Sequence, residues 1–428
     1  MGLFKMDLIR GTLVLSPPYY LMALCIPLLP IVVLIVLEYV HRREEQVAPA
    51  GCRPFGLMAD SRLKDQYDKK YEKEGTCGTT PDGSPRAEVK GLFVYPVKSC
   101  APVELQHGEV VSTGLRFDRQ FSFAQLVSSK PPVQHRWICV TEREFPRLAL
   151  VKTQLWVPDP KSPTYSAEGE WVKSGGCIVI SFPFSPDWSG GVKAIASSFG
   201  AKLRQTSIRA EPQITFRIPF DPPRDRIKEK GYSTERMKIF ADEPEALNMS
   251  AEIPANILAK LKYTLGVSNT FTLFRVDNEK RRDLFRCAPR KDEIGYQPVY
   301  PLHLLNLASV RDVASKLGPT GPRNLDALRF RSNIYITGPA AFAEDSWKRI
   351  RIGSGTYHVA CRTARCGLPN VDPATGLEPA TETAALRVGD AVDVLETGEH
   401  WFIAGGVPRE EQDRRYYALK EKPRKTAD

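Results

Sequence analysis

The sequence predicts a mainly β protein of the α+β class, with a membrane helix at its N-terminus and a few helices set among short strands. From residue 87 onward, short runs of alternating apolar and polar residues are separated by turn residues. Helical spacing is confined to a few segments, the clearest being residues 309–317. Residues 11–37 carry no charged side chain, which is the pattern of a membrane span.

In chain order, residues 1–17 lead into "YYLMALCIPLLPIVVLIVL", residues 19–37. As a helix this run would extend roughly 28 Å, about one bilayer core. The "APA" at residues 48–50 lies beyond "HRREEQ", too far from the apolar run for a cleaved signal peptide. A retained single-pass anchor is therefore expected over residues 18–40. Lys5 and Arg10 on one side balance Arg42 and Arg43 on the other, so charge does not orient it. Residues 41–86 are rich in Lys, Glu, Gly, Pro and Asp and read as a linker.

Strand patterns follow in "AEVKGLFVYPV", "GEVVSTGLRFDRQFSFAQLV", "RLALVKTQLWVP" and "EWVKSGGCIVISF". A first β domain is expected over residues 87–245 and a second, helix-containing one over residues 250–405. In the second, "PANILAKLKYTLG" has helical spacing and a terminal Gly266. Over residues 309–317, Ser309 and Asp312 resemble a capping box, Val310, Val313, Ala314 and Leu317 share a face, and Gly318-Pro319 ends the helix. Strands return in "SNIYITG", the hairpin "KRIRIGSGTYHVA" and "GDAVDVLETG". Residues 406–428 read as a polar tail.

The 428 residues carry 60 Lys and Arg against 50 Asp and Glu. The excess is scattered and forms no basic stripe interleaved with aromatics, which argues against a nucleic-acid partner. Nine cysteines at irregular spacing form no disulfide framework and suit a reducing compartment.

One cysteine stands apart, in "ARCGLPNVDPATG" at residues 364–376. By chemistry alone Cys366 is a nucleophile, a metal ligand or half of a disulfide, and the neighbouring Arg365 favours its thiolate. Cys361 lies five residues earlier, but no second Cys or His pair follows at zinc-finger spacing. A small buried thiol beside a turn is the alternative.

Read in order with it, "YPVKSC" (95–100), "FDRQF" (117–121), "FPRLAL" (145–150), "RFRSNIYITG" (329–338) and "AEDSW" (343–347) resemble the MOSC family, in particular the mitochondrial amidoxime-reducing components. The resemblance covers residues 88–404. It implies an N-terminal β-barrel followed by a MOSC domain, with Cys366 binding the molybdenum of a molybdopterin cofactor. It places Lys98, Ser99, Arg119, Arg331, Asn333 and Arg365 around that cofactor, with Arg143 and Arg147 of "TEREFPRL" in second rank. A phosphate and a polar pterin call for such point charges and guanidinium forks.

The resemblance further implies reduction of N-hydroxylated compounds to amines or amidines plus water. Electrons would come from a b-type cytochrome and its NADH-linked flavoprotein reductase, since the chain shows no dinucleotide fingerprint or ferredoxin-like cysteine cluster. The expected location is the mitochondrial outer membrane with a cytosolic domain, the endoplasmic reticulum membrane being the alternative. The sequence departs from the family in two places: Val299 and Tyr300 replace short polar residues, and only residues 377–387 connect "VDPATG" to "VGDAV". A non-catalytic cofactor-binding or sulfur-carrier module is the competing expectation.

Overall fold

The computed structural model describes residues 48–376, apart from 80–82, 84, 129–133, 186–190, 206, 208–209, 241, 278–280, 285–291, 318–323 and 364–367, together with residues 8, 9, 12, 13, 29, 32, 33 and 36. It is mainly β with few helices. The strands that build it are β1 (Cys52–Phe55), β2 (Glu88–Val94), β3 (Val103–Leu105), β4 (Phe121–Ser128), β5 (His135–Cys139), β6 (Lys152–Pro158) and β7 (Cys177–Pro183). They continue as β8 (Gln213–Pro219), β9 (Thr234–Lys238), β10 (Glu245–Asn248), β11 (Phe271–Val276), β12 (Leu304–Asn306) and β13 (Ile334–Thr337). The helices are α1 (Gly191–Gln205), α2 (Arg224–Glu229), α3 (Ala255–Leu265) and α4 (Leu307–Lys316).

Strands β9, β10, β11, β4 and β5 close into a barrel. Its ladders are antiparallel except the last, where Met237 and Lys238 of β9 lie parallel to Trp137 and Ile138 of β5. Closure removes both sheet edges, and every residue of β11 is buried, including Thr272 and Arg275. A second sheet has the order β8-β7-β6-β1 and a third β12-β13-β2-β3.

The third sheet positions the candidate site. In it Ile334 of β13 pairs with Leu92 of β2 and Tyr335 with Gly91, so the chain leaving β2 at residue 95 runs beside the chain entering β13 at residue 333. Strands drawn from both expected domains thus share one sheet, and the barrel likewise combines strands on either side of residue 250. Part of the expected linker is also folded: Leu63 and Tyr71 are buried with Phe93, Tyr95, Leu307 and Tyr335, and β1 pairs with β6.

Helix α3 ends where expected, on Gly266 at φ +75°. The expected helix over residues 309–317 begins earlier. Asn306 caps α4, its side chain accepting from Ala308 N, while Ser309 Oγ donates to Glu344 Oε1 at 2.6 Å. The expected hairpin forms from Arg349–Ile352 and Gly355–His358.

The membrane assignment needs correction. Among the described residues no helix is long and apolar enough to cross a membrane, which overturns the single-pass anchor and the outer-membrane or reticulum location inferred from it. An uncharged run shows a low transfer cost, which a membrane span needs but which does not by itself make one. Most of residues 18–40, the strand expected in "GDAVDVLETG" and the tail lie outside the described residues.

Candidate functional site

The segment after β2, residues 95–100, is stitched to residues 117–121 by backbone bonds. Arg119 N donates to Tyr95 O at 2.8 Å, Phe121 N to Pro96 O at 3.0 Å, and Lys98 N to Phe121 O at 2.8 Å. Asp118, fully buried, accepts from Tyr95 N at 2.8 Å. Four non-glycine residues here adopt positive φ: Ser99 at +65°, Phe117 at +74°, Arg119 at +49° and Arg331 at +52°. Each costs about 1 kcal/mol or more for a non-glycine residue, and such conformations cluster at functional sites.

The side chains of these segments converge. The Tyr95 ring, wholly buried, is contacted by two guanidinium groups, with Arg119 Cζ 4.7 Å and Arg331 Cζ 4.3 Å from its centroid. Arg119 Nη1 donates to Asp118 Oδ2 at 2.6 Å and to Asn333 Oδ1 at 3.3 Å, and its Nη2 to Arg331 O at 3.0 Å. Arg331 Nη2 donates to Cys100 O at 2.7 Å, and its Nη1 pairs with Glu142 Oε2 at 2.9 Å. Asn333, buried, donates from Nδ2 to Phe93 O at 3.1 Å. Its Oδ1 also accepts from His303 N at 3.2 Å.

Lys98 completes the cradle. Its Nζ donates to Tyr296 O at 2.9 Å and lies 4.8 Å from the Phe240 ring centroid. Burial pushes this ammonium down to about 8. Cys139 acts in the opposite direction, and Arg119, Arg282 and Arg331 push it further down. Among the described residues no carboxylate pairs with Lys98. Two buried cations, Lys98 and Arg119, and the part-buried Arg331 thus stand against two acids, Asp118 and Glu142.

The structure brings Lys98, Arg119, Arg331 and Asn333 together, and Ser99 is buried beside Lys98 in the same turn. It does not bring in the second-rank pair: Arg143 is exposed, and Arg147 pairs with Glu211 at 2.9 Å. Arg365 and Cys366 lie outside the described residues. The chain beyond them, however, is held against the cradle's flank. Arg329 Nη1 donates to Pro369 O at 3.3 Å and Asn370 O at 2.9 Å, and its Nη2 to Asp372 Oδ2 at 2.8 Å. At Gly376, φ +64°, a Cβ would lie 3.0 Å from Leu150 Cγ and 3.2 Å from Arg147 Cα. The "VDPATG" turn is therefore seated on "FPRLAL".

Sequence reasoning missed Tyr95, Asp118, Glu142 and Arg329. The first two stand inside motifs already singled out, and Arg329 opens "RFRSN" two places before Arg331. Glu142 carried no signal beyond adjacency to Arg143.

The donor set fits a phosphate-bearing polar ligand. A buried lysine that bonds only a neutral carbonyl, beside two oriented guanidinium groups, would recover its desolvation cost from an anion. Among the described residues no group of three or more His, Cys, Asp or Glu could hold a metal ion.

The MOSC N-terminal beta barrel domain profile matches residues 86–170 and the MOSC domain profile residues 291–406. Mitochondrial amidoxime-reducing component 1 of Mus musculus is 37% identical over 340 residues, 78% of each chain. The Homo sapiens protein of that name is 25% identical over 289 residues, 68% of this chain and 67% of its own. Homo sapiens molybdenum cofactor sulfurase is 24% identical over 298 residues, 67% of this chain but 27% of its own length. The chain belongs to the MOSC-domain family that includes the mitochondrial amidoxime-reducing components.

Proposed function

We propose that this protein is a molybdenum-cofactor oxidoreductase that reduces N-hydroxylated compounds to amines or amidines plus water. The carrying observation is the incompletely neutralised set of buried Lys98 and Arg119 with part-buried Arg331, supported by the names of its relatives. A bound molybdopterin would supply the oxygen-atom and two-electron chemistry. Lys98 would meet its phosphate as a point charge, Arg119 and Arg331 as planar forks, and Ser99 and Asn333 as neutral polar groups. Cys366 would offer a soft sulfur ligand to the metal, and Arg365 a charge favouring the thiolate. Tyr95 offers both guanidinium groups an aromatic surface. Electrons would come from a b-type cytochrome and its NADH-linked flavoprotein reductase.

The test is molybdenum and pterin content per chain, followed by turnover of an amidoxime with those donors. We expect Lys98→Ala or Arg331→Ala to lose pterin while circular dichroism stays unchanged. Full pterin retention in both variants would overturn the reading. A sulfur-carrier role at Cys366 is the second reading, favoured by the sulfurase match. Persulfide on Cys366 without molybdenum would select it.

A further inference from the structure

We propose that Glu142 is a built-in competitor for the anionic ligand of this cradle, holding the edge of Arg331 that a phosphate group would otherwise take. The proposal rests on the reading of the cradle as an anion site. Arg331 has little freedom elsewhere: Nη2 is committed to Cys100 O at 2.7 Å, and one guanidinium face lies on Tyr95 at 4.3 Å. Its Nη1 edge meets Glu142 Oε2 at 2.9 Å, with the two side chains 10% and 4% exposed. The contact is a close, buried ion pair in which Glu142 Oε2 makes no well-aligned hydrogen bond, so an arriving anion must compete with a charge already in place.

The position of Glu142 suits that role. It follows β5 in a turn in which Glu144 N and Phe145 N both donate to Thr141 O, at 3.0 and 2.9 Å. Glu142 therefore lies in a turn and not in a sheet ladder. The charged groups around it are Arg331 and, on the same Tyr95 ring, Arg119 with Asp118; the Cys100 thiol, raised by burial, also lies near.

Charge arithmetic gives the specificity. Lys98, Arg119 and Arg331 against Asp118 and Glu142 leave a net +1, and removing the Glu142 charge leaves +2. Glu142 should therefore discriminate against dianions more than against monoanions, a form of selectivity by built-in repulsion.

The experiment uses the full-length chain freed of molybdopterin, with inorganic pyrophosphate and the monoanion nitrate as calorimetric probes. Glu142→Gln keeps shape and removes charge. We expect it to bind pyrophosphate about tenfold tighter than wild type, equal to about 1.4 kcal/mol, with a much smaller change for nitrate. Glu142→Asp should fall between the two, and in an Arg331→Ala background the Glu142→Gln change should no longer alter pyrophosphate binding. Equal or weaker pyrophosphate binding by Glu142→Gln would show that Glu142 only props Arg331, and would overturn the proposal. So would absence of pyrophosphate binding in both wild type and variant. If the tenfold gain appears but no form of the chain retains molybdopterin, the cofactor reading fails while the role of Glu142 stands.

Discussion

Lys98 shows the tension between stability and binding at the level of one side chain. Its ammonium is held near 8 against an ordinary 10.5, burial being the main cause. Between those two values the unfolded chain binds more protons than the folded one, so stability rises with pH across that window. Below about 8 both states are protonated and the folded protein carries the whole penalty, roughly 3 kcal/mol. Lys98→Met should therefore be more stable than wild type by roughly 2 to 3 kcal/mol at pH 7. The gap should close as pH rises from 8 toward 10.5, as read by urea unfolding, and the same variant should lose anion binding. Tyr95 allows a companion test. Its hydroxyl reaches Ser332 O only at 3.4 Å, so Tyr95→Phe should bind anions almost as wild type. Tyr95→Leu, which removes the ring that Arg119 and Arg331 contact, should bind them about tenfold more weakly by calorimetry.

At the scale of elements, two buried clamps hold the parts around the cradle. Glu252, 4% exposed, accepts from Arg226 Nε at 2.6 Å and Nη2 at 2.8 Å, from Lys230 Nζ at 2.7 Å, and from Tyr232 Oη. It thereby ties α2 to the turn before α3. Burial acts to raise its carboxyl, but the donors from Arg226, Lys230 and Tyr232 prevail and hold it at about 2. Being depressed from 4.5, it contributes stability fully above that value and loses it as pH falls toward 2. Glu252→Gln should cost about 3 to 5 kcal/mol at pH 7 and much less at pH 2, a difference that urea titrations at the two pH values would show. Arg329 is the second clamp, gripping the chain at Pro369, Asn370 and Asp372. Arg329→Met should speed amide exchange at Gly376, whose N–H donates to Asp372 O at 2.7 Å, by tenfold or more. Arg329→Lys should rescue only partly, because an ammonium cannot span three acceptors as a fork does.

For the whole molecule, the interleaving of strands predicts cooperativity. Sheet β12-β13-β2-β3 joins residues 88–105 to residues 304–337, and β11 enters a barrel otherwise drawn from residues 121–248. The core around Val94, Phe121 and Phe123 is continuous with Leu261, Leu265 and Leu273. A chain ending at residue 250 would leave β4 without its β11 partner and β2 without β13, exposing edges and apolar faces. Calorimetry of the full-length chain should therefore give one main transition. Residues 86–170 or 291–406 expressed alone should show no cooperative melting.

What the sequence determined by itself is what short-range chemistry controls. The β-rich class, α3 with its terminal Gly266 and the hairpin of residues 349–358 were legible from alternation and turn chemistry, whereas the cradle residues were singled out only through resemblance to the family's motifs. Helix α4 was legible but not its start, because Asn306 competes for the capping role and Glu344, 35 residues from Ser309, draws that hydroxyl away. The tertiary structure decided the rest through long-range contacts. The parallel pairing of β9 with β5 closes the barrel across about 100 residues of chain, and folding of residues 52–71 onto the body turns an expected linker into core. Arg329, Arg331 and Glu142 acquire their roles from partners 41, 231 and 189 residues away. A charged residue reads as surface until burial removes its water, and only the assembled fold shows which charges are buried and what they face.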